Sequence, residues 1–265
     1  MAIVTTEFFS ASLRRFVTFR AVLPNDLPPE MVGSNPHFQR PMKTLFLLHG
    51  YSGNENDWLY NTHISQLAGQ YNLAVICPNG GNSFYLDGPE TGRQYGEFVG
   101  RELPAYVQRL FGLSAERADN FIGGFSMGGF GAIHTALAYP EQFSAAAGFS
   151  AALIHRKVAE MTPESQDAIA NYDYYRLVFQ EPAQLPESRN NPEHLVRELL
   201  AQGKALPRLF FCVGTEDFLY QDNQAFRAFL TEQHVPFRYA EGPGVHDFHF
   251  VSAHLEEALD FLTEA

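Results

Sequence analysis

Cysteine is nearly absent: Cys77 and Cys212 are the two in the chain, and each lies inside an apolar, strand-like run. That scarcity excludes a disulfide framework and a cysteine-based metal cluster, and leaves both thiols as small core residues. It also predicts a reducing, cytoplasmic compartment. No cluster of Lys or Arg occurs, and the formal net charge is -12. Nucleic acid and anionic membranes are bound through basic patches, so neither is an expected partner, and the acidity reads as a means of solubility. The start, Met1 to Glu7, has neither a basic segment nor a long apolar one, so no signal peptide is expected, and no transmembrane span appears. The chain has no Gly-x-Gly-x-x-Gly fingerprint around its serine motif, no Gly-Lys-Ser/Thr phosphate loop and no CxxC pair, which predicts chemistry without a cofactor. No internal repeat is visible. The 265 residues, 45% of them hydrophobic, suffice for one large core, read as a single α/β domain over 1–265.

What is present is an alternation of short apolar runs with helical patterns. Ile3 to Phe9 and Arg14 to Leu23 read as an early hairpin on a sheet edge, followed by a proline-rich loop from Pro24 to Pro41. Buried-strand runs then recur at Thr44 to Leu48, Leu73 to Cys77, Phe121 to Phe125, Phe143 to Phe149, Leu209 to Val213 and Phe237 to Ala240. Leu103, Val107, Leu110 and Phe111 share one helical face, and Val251, Leu255, Ala258, Leu259 and Leu262 share another. Such alternation predicts a mostly parallel central sheet with helices on both faces. The stretch from 151 to 206 breaks the rhythm, with Asn190-Asn191-Pro192 capping a helix through Leu195, Leu199 and Leu200. It is expected to be a cap-like insertion, a lid or pocket wall over the C-terminal strand ends.

Gly124-Phe125-Ser126-Met127-Gly128 falls where an apolar run meets a helix-forming run. A serine at a strand-to-helix corner takes strained dihedrals and exposes its Oγ, and side chains at Gly124 or Gly128 would collide with the adjoining strand or helix. The following helix turns its unpaired N–H groups toward the serine and favours developing negative charge there. Ser126 is the candidate nucleophile.

A hydroxyl attacks an ester only if a base takes its proton, and the base needs an acid to fix its tautomer. Gly242-Pro243-Gly244-Val245-His246 follows the last strand, which makes His246 the candidate base. Gly214-Thr215-Glu216-Asp217 follows the run ending at Val213, and either Asp217 or its neighbour Glu216 can serve as the acid. The chain order serine, carboxylate, histidine is that of the α/β-hydrolase fold. In that fold one oxyanion donor is the backbone N–H after the nucleophile, here Met127. The second comes from the loop Leu48-His49-Gly50-Tyr51-Ser52-Gly53, with Tyr51 preferred and Ser52 second. His49 reads as a loop-shaping residue. His246 and His249 are one turn apart, but no third ligand accompanies them, so no metal site is expected. His254 reads as a packed or capping residue; His37, His63, His134, His155, His194 and His234 are assigned to the surface.

The combination of Leu47 to Asn54, Ser83-Phe84-Tyr85-Leu86-Asp87, Glu102-Leu103-Pro104, Gly124 to Gly129, Gly214 to Phe218 and Gly242 to Phe248 resembles the esterase D family, and within it small bacterial tributyrin esterases. The resemblance spans nearly the whole chain. It implies an α/β-hydrolase carboxylesterase acting on small-molecule esters with short acyl chains. It favours Asp217 over Glu216, and supports Ser126, Asp217 and His246 as a triad with the Tyr51 and Met127 N–H groups as oxyanion donors. Relatives often carry tryptophan two residues after the histidine and again shortly beyond; this chain has Phe248 and Val251, which predicts a pocket of different shape. The same family includes S-formylglutathione hydrolases, acetylxylan and feruloyl esterases and mycolyltransferases. An acyltransferase is therefore the rival enzyme, a non-catalytic binding protein on the same scaffold is the rival from another class, and homo-oligomerisation is left open.

Overall fold

The computed structural model describes residues 1–264. Eight strands form one sheet: β1 Ala2–Ser10, β2 Arg15–Leu23, β3 Lys43–Leu48, β4 Leu73–Pro78, β5 Asn120–Phe125, β6 Ala145–Phe149, β7 Arg208–Gly214 and β8 Phe237–Gly242. Their spatial order is β1-β2-β4-β3-β5-β6-β7-β8. β2 runs antiparallel to both neighbours, and β3 to β8 are parallel throughout.

Local chemistry accounts for the edge hairpin. Its outer strand alternates partly covered and exposed residues, as one-sided packing requires. The turn between β1 and β2 is held from a distance by Glu102, whose carboxylate accepts from the Ser10 hydroxyl at 2.6 Å and from the Ala11 and Ser12 N–H groups at 2.6 and 3.1 Å. Burial alone would raise the Glu102 carboxyl; these donors hold it below its usual value.

The inner strands are buried on both faces, and their residues divide by parity. Phe46, Leu48, Ile76, Ile122 and Phe211 join one core, while Leu45, Leu47, Val75, Phe121 and Phe210 join the other. Among the described residues, nine α-helices of five residues or more position the rest: α1 Asp57–Asn61, α2 Ile64–Tyr71, α3 Leu103–Phe111, α4 Met127–Ala138, α5 His155–Ala159, α6 Tyr172–Phe179, α7 Pro192–Ala201, α8 Tyr220–Glu232 and α9 Phe248–Thr263. α2 and α9 cover the second core; α3, α4, α7 and α8 cover the first. Cys77 and Cys212 are free and buried, and burial pushes the Cys77 thiol up to about 12. Among the described residues no helix is long and apolar enough to cross a membrane.

Three expectations need correction. β6 begins at Ala145, and Phe143 is a core residue outside the strand. The proline-rich loop contains two short helical turns, Pro29–Val32 and Pro36–Gln39. His134 and His155 are not on the surface: they are 6% and 3% exposed. In the stretch 151–206, Asn191 caps α7 by accepting from Glu193 N–H, with Pro192 in the first turn. α7 buries Leu195, Val196 and Leu199 in the first core, so it serves as the helix that a parallel β6-to-β7 crossover needs.

His134 sits on α4 and meets the Arg189 carbonyl through Nε2 at 2.8 Å. Burial pushes its pKa down to about 4 from 6.5, so it is neutral in the fold at neutral pH. As pH falls, the unfolded chain takes up this proton first, and stability is lost between about pH 6.5 and 4, on the order of 3 kcal/mol. A His134→Gln protein, which keeps a donor for Arg189, is expected to lack this component. Urea denaturation at about pH 7 and pH 4 checks it; identical pH dependence in the two proteins would contradict the assignment.

Candidate active site

The sheet register brings four loops to one edge. Leu48 pairs with Gly124, Phe125 with Phe149, Phe149 with Cys212, and Gly214 with Gly242, so the segments after β3, β5, β7 and β8 leave neighbouring strand ends.

Ser126 joins β5 to α4 with φ 58° and ψ -118°, a conformation that L-residues avoid. Close packing fixes the corner: a Cβ on Gly124 would overlap the Gly128 backbone, and a Cβ on Gly128 would overlap the Leu48 and His49 carbonyls. The Ser126 N–H donates to the Phe149 carbonyl at 2.9 Å, and its own carbonyl accepts from Phe130 and Ala152. Every backbone group at the strained residue is thereby committed, leaving the hydroxyl to turn toward the cavity.

His246 Nε2 lies 2.9 Å from Ser126 Oγ, and His246 Nδ1 lies 2.9 Å from Asp217 Oδ2. Asp217 is 5% exposed and also accepts from the Leu219 N–H at 2.8 Å through Oδ1. Burial alone would raise its carboxyl, but the bonds from His246 and Leu219 hold it below the usual carboxylate range. An ionised acceptor on Nδ1 keeps the proton there, so Nε2 presents its lone pair to the serine. Glu216 is used differently: its carboxylate accepts from the Gly244 N–H at 2.6 Å and the Thr215 hydroxyl at 2.8 Å. With Thr215 N–H on the Gly242 carbonyl and Glu216 N–H on the Gly244 carbonyl, it laces the Asp217 loop to the His246 loop. The imidazole is packed between Phe125 and Phe218, at ring-centroid distances of 4.7 and 4.5 Å.

The early loop separates its two candidate donors. Ser52 N–H is taken by Asn82 Oδ1 at 2.8 Å. Tyr51 and Met127 line the same cavity as Ser126, and among the described residues neither N–H has a protein acceptor. His49 shapes this loop as expected. Its Nε2 accepts from the Gly80 N–H at 2.9 Å, so the ring proton is on Nδ1, which donates to the Gly50 carbonyl at 2.7 Å. Burial pushes the ring pKa down and favours this neutral form. The Gly50 carbonyl and the Tyr51 N–H share one trans peptide and point opposite ways. Anchoring the first therefore aims the second.

The cavity above Ser126 encloses about 720 Å³. Besides the four loops, its wall is built by Ile154, Val158, Met161, Ile169 and Tyr175, none of which the sequence singled out. Phe248 and Val251 do not line it: Phe248 packs behind Phe125 and against Trp58, and Val251 is core. The expected change of pocket shape does not come from direct contact at those positions. No group of three metal-ligating side chains occurs among the described residues. His254 packs on Phe250, at 4.5 Å between ring centroids.

A mostly parallel sheet of this order with a serine, a histidine and a carboxylate at the C-terminal edge of its parallel strands defines a serine hydrolase of the α/β-hydrolase type. Comparison with known proteins narrows the class. Residues 10–258 match the Esterase family, described as "Putative esterase", and the chain belongs to that family. It is 36% identical to an acetyl esterase of Caldicellulosiruptor saccharolyticus over 264 residues, covering 100% of this chain and 99% of the relative. Among solved structures it is similar to fluorophosphonate-binding serine hydrolase F of Staphylococcus aureus, substrate bound, with TM-score 0.85 and 29% identity over 100% of this chain and 99% of the other. S-formylglutathione hydrolase of Staphylococcus aureus aligns with TM-score 0.82 and 29% identity, over 99% of each chain. The protein is a carboxylic ester hydrolase.

Proposed function

We propose that this protein is a serine carboxylesterase of the esterase D kind, akin to tributyrin esterases, that hydrolyses neutral small-molecule esters with short acyl chains in the cytoplasm. The observation that carries this reading is the chain of contacts from Ser126 Oγ through His246 to Asp217, 2.9 Å at each step, at the foot of a cavity. His246 Nε2 takes the Ser126 proton as Oγ attacks the ester carbonyl carbon. The carbonyl electrons move onto oxygen, which accepts from the Tyr51 and Met127 N–H groups. Collapse expels the alcohol, protonated by His246, and leaves an acyl group on Ser126. Water, deprotonated by the same nitrogen, attacks that acyl group, and a second collapse releases the acid and restores the serine. Asp217 stabilises the imidazolium in both halves. The stretch 151–206 contributes a wall that seats the substrate within one domain.

The short-chain preference is supported by the relative known as an acetyl esterase. The cavity exceeds what an acetyl group fills, and the remaining apolar space is assigned to the alcohol part of the ester. kcat/KM for 4-nitrophenyl acetate, butyrate and octanoate tests this: values are expected to fall at least about fivefold from butyrate to octanoate, since a closed pocket loses about 1 kcal/mol or more when overfilled. A maximum at octanoate would overturn it. An acyltransferase would instead give transesterified product when alcohols are added.

A further inference from the structure

Three consecutive basic residues, His155, Arg156 and Lys157, lie on α5 beside the cavity. They face buried carboxylates: His155 Nε2 and Arg156 Nη2 lie 3.1 and 2.8 Å from Glu193 Oε1, and Lys157 Nζ lies 2.6 Å from Asp222 Oδ2. Asp222 is 8% exposed on α8, and the adjacent Asn223 donates to the Ala151 carbonyl at 2.9 Å. Among the described residues, Lys157 is the one Lys or Arg lining the cavity, and Asp167 the one carboxylate. Asp167 Oδ1 accepts from the Ile169 and Ala170 N–H groups at 2.8 Å each, and Oδ2 from the Tyr175 hydroxyl at 2.7 Å. No cation among the described residues pairs with it.

The charges that reach the cavity are thus Lys157, cancelled by Asp222, and Asp167, which is hydrogen-bonded but not neutralised. We infer that Asp222 sets the charge selectivity of this site: by occupying the Lys157 ammonium it leaves the cavity net negative, so that neutral esters enter and esters carrying a carboxylate are rejected. A substrate carboxylate would give up water, approach Asp167 and find the nearby ammonium already paired, so its desolvation is not repaid. The overall charge of -12 opposes its approach as well. Thioesters of carboxylate-bearing leaving groups such as glutathione fall in the rejected class. This inference rests on the esterase reading above.

The test uses two esters of one acid, 4-nitrophenyl butyrate and 3-carboxy-4-nitrophenyl butyrate, whose ring carboxylate cannot reach the acyl carbon, and compares the ratio of their kcat/KM values. The wild-type protein is expected to favour the neutral ester, less so as NaCl is raised. Asp222→Asn keeps the shape and removes the charge, freeing Lys157; the ratio is expected to move about tenfold toward the carboxylate ester at low salt. A Lys157→Met/Asp222→Asn double variant is expected to lose that shift, which a merely loosened wall would not. Asp167→Asn, at an exposed position, provides a variant independent of the Lys157–Asp222 pair and is expected to move the ratio severalfold the same way. A ratio within twofold of wild type in both single variants, or an equal shift in the double variant, would overturn the inference. Failure of the esterase reading would look different: the wild-type protein would hydrolyse neither ester, or Ser126→Ala would hydrolyse both at the wild-type rate.

Discussion

Replacing Ser126 with alanine is expected to reduce kcat for 4-nitrophenyl butyrate by about 10⁵ to 10⁶, the scale of loss when the serine nucleophile of another hydrolase is removed. Everything else in the site survives. Tyr51 and Met127 still line the cavity, and Phe125 and Phe218 still hold the His246 ring. The residual rate, about 10³ to 10⁴ above water in that precedent, would come from binding and oxyanion stabilisation alone. The melting temperature is expected to stay within a few degrees, because alanine bears the same φ of 58° that serine does and the hydroxyl makes no bond except to His246. Steady-state kinetics together with thermal denaturation check both parts. A large fall in the melting temperature would assign the lost activity to unfolding instead.

The second large effect concerns the acid. Asp217→Asn is expected to lower kcat about 10⁴-fold, whereas Glu216→Gln is expected to cost less than about tenfold. Asparagine can offer an N–H to His246 Nδ1, which places the ring proton on Nε2 and removes the lone pair that Ser126 needs. Glutamine at 216 can still accept from Gly244, so the lacing of the two loops persists. The loss at Asp217 is expected to persist throughout the neutral range. Its carboxyl is held below the usual value, so it stays ionised there and the stability it lends is lost only as pH falls through the acid range. Parallel pH profiles of the two variants measure the contrast; equal losses would return the role to an open choice between the neighbours.

How far the sequence reaches can be judged residue by residue. The buried strands were readable because parallel strands covered on both faces are continuous apolar runs, and the Ser126 corner because Gly124 and Gly128 are each one Cβ away from a backbone collision. The order of Ser126, Asp217 and His246 was readable because each follows a strand directly. Contacts across long separations were not. Glu102 reaches back to the turn at Ala11, and Asn82 takes the Ser52 N–H and so distinguishes it from Tyr51; neither pairing leaves a periodic trace. The walls at Ile154, Met161 and Ile169 lie in a stretch without helical or strand period, where only the folded chain shows which side chains face inward. With no chemistry beside them in sequence, His134 and His155 read by default as surface residues. His134 instead pairs with a backbone carbonyl, and His155 with a buried carboxylate that no local pattern announces.

The central claim is that Ser126 carries the acyl group, and the mass of the protein quenched in acid during turnover of 4-nitrophenyl butyrate tests it most directly. The account predicts a species heavier by one butyryl group, mapped by peptide digestion to Ser126 and absent from the Ser126→Ala protein. A butyryl group found on another residue, or turnover by the wild-type protein with no covalent species at any quench time and no burst of nitrophenol, would contradict it.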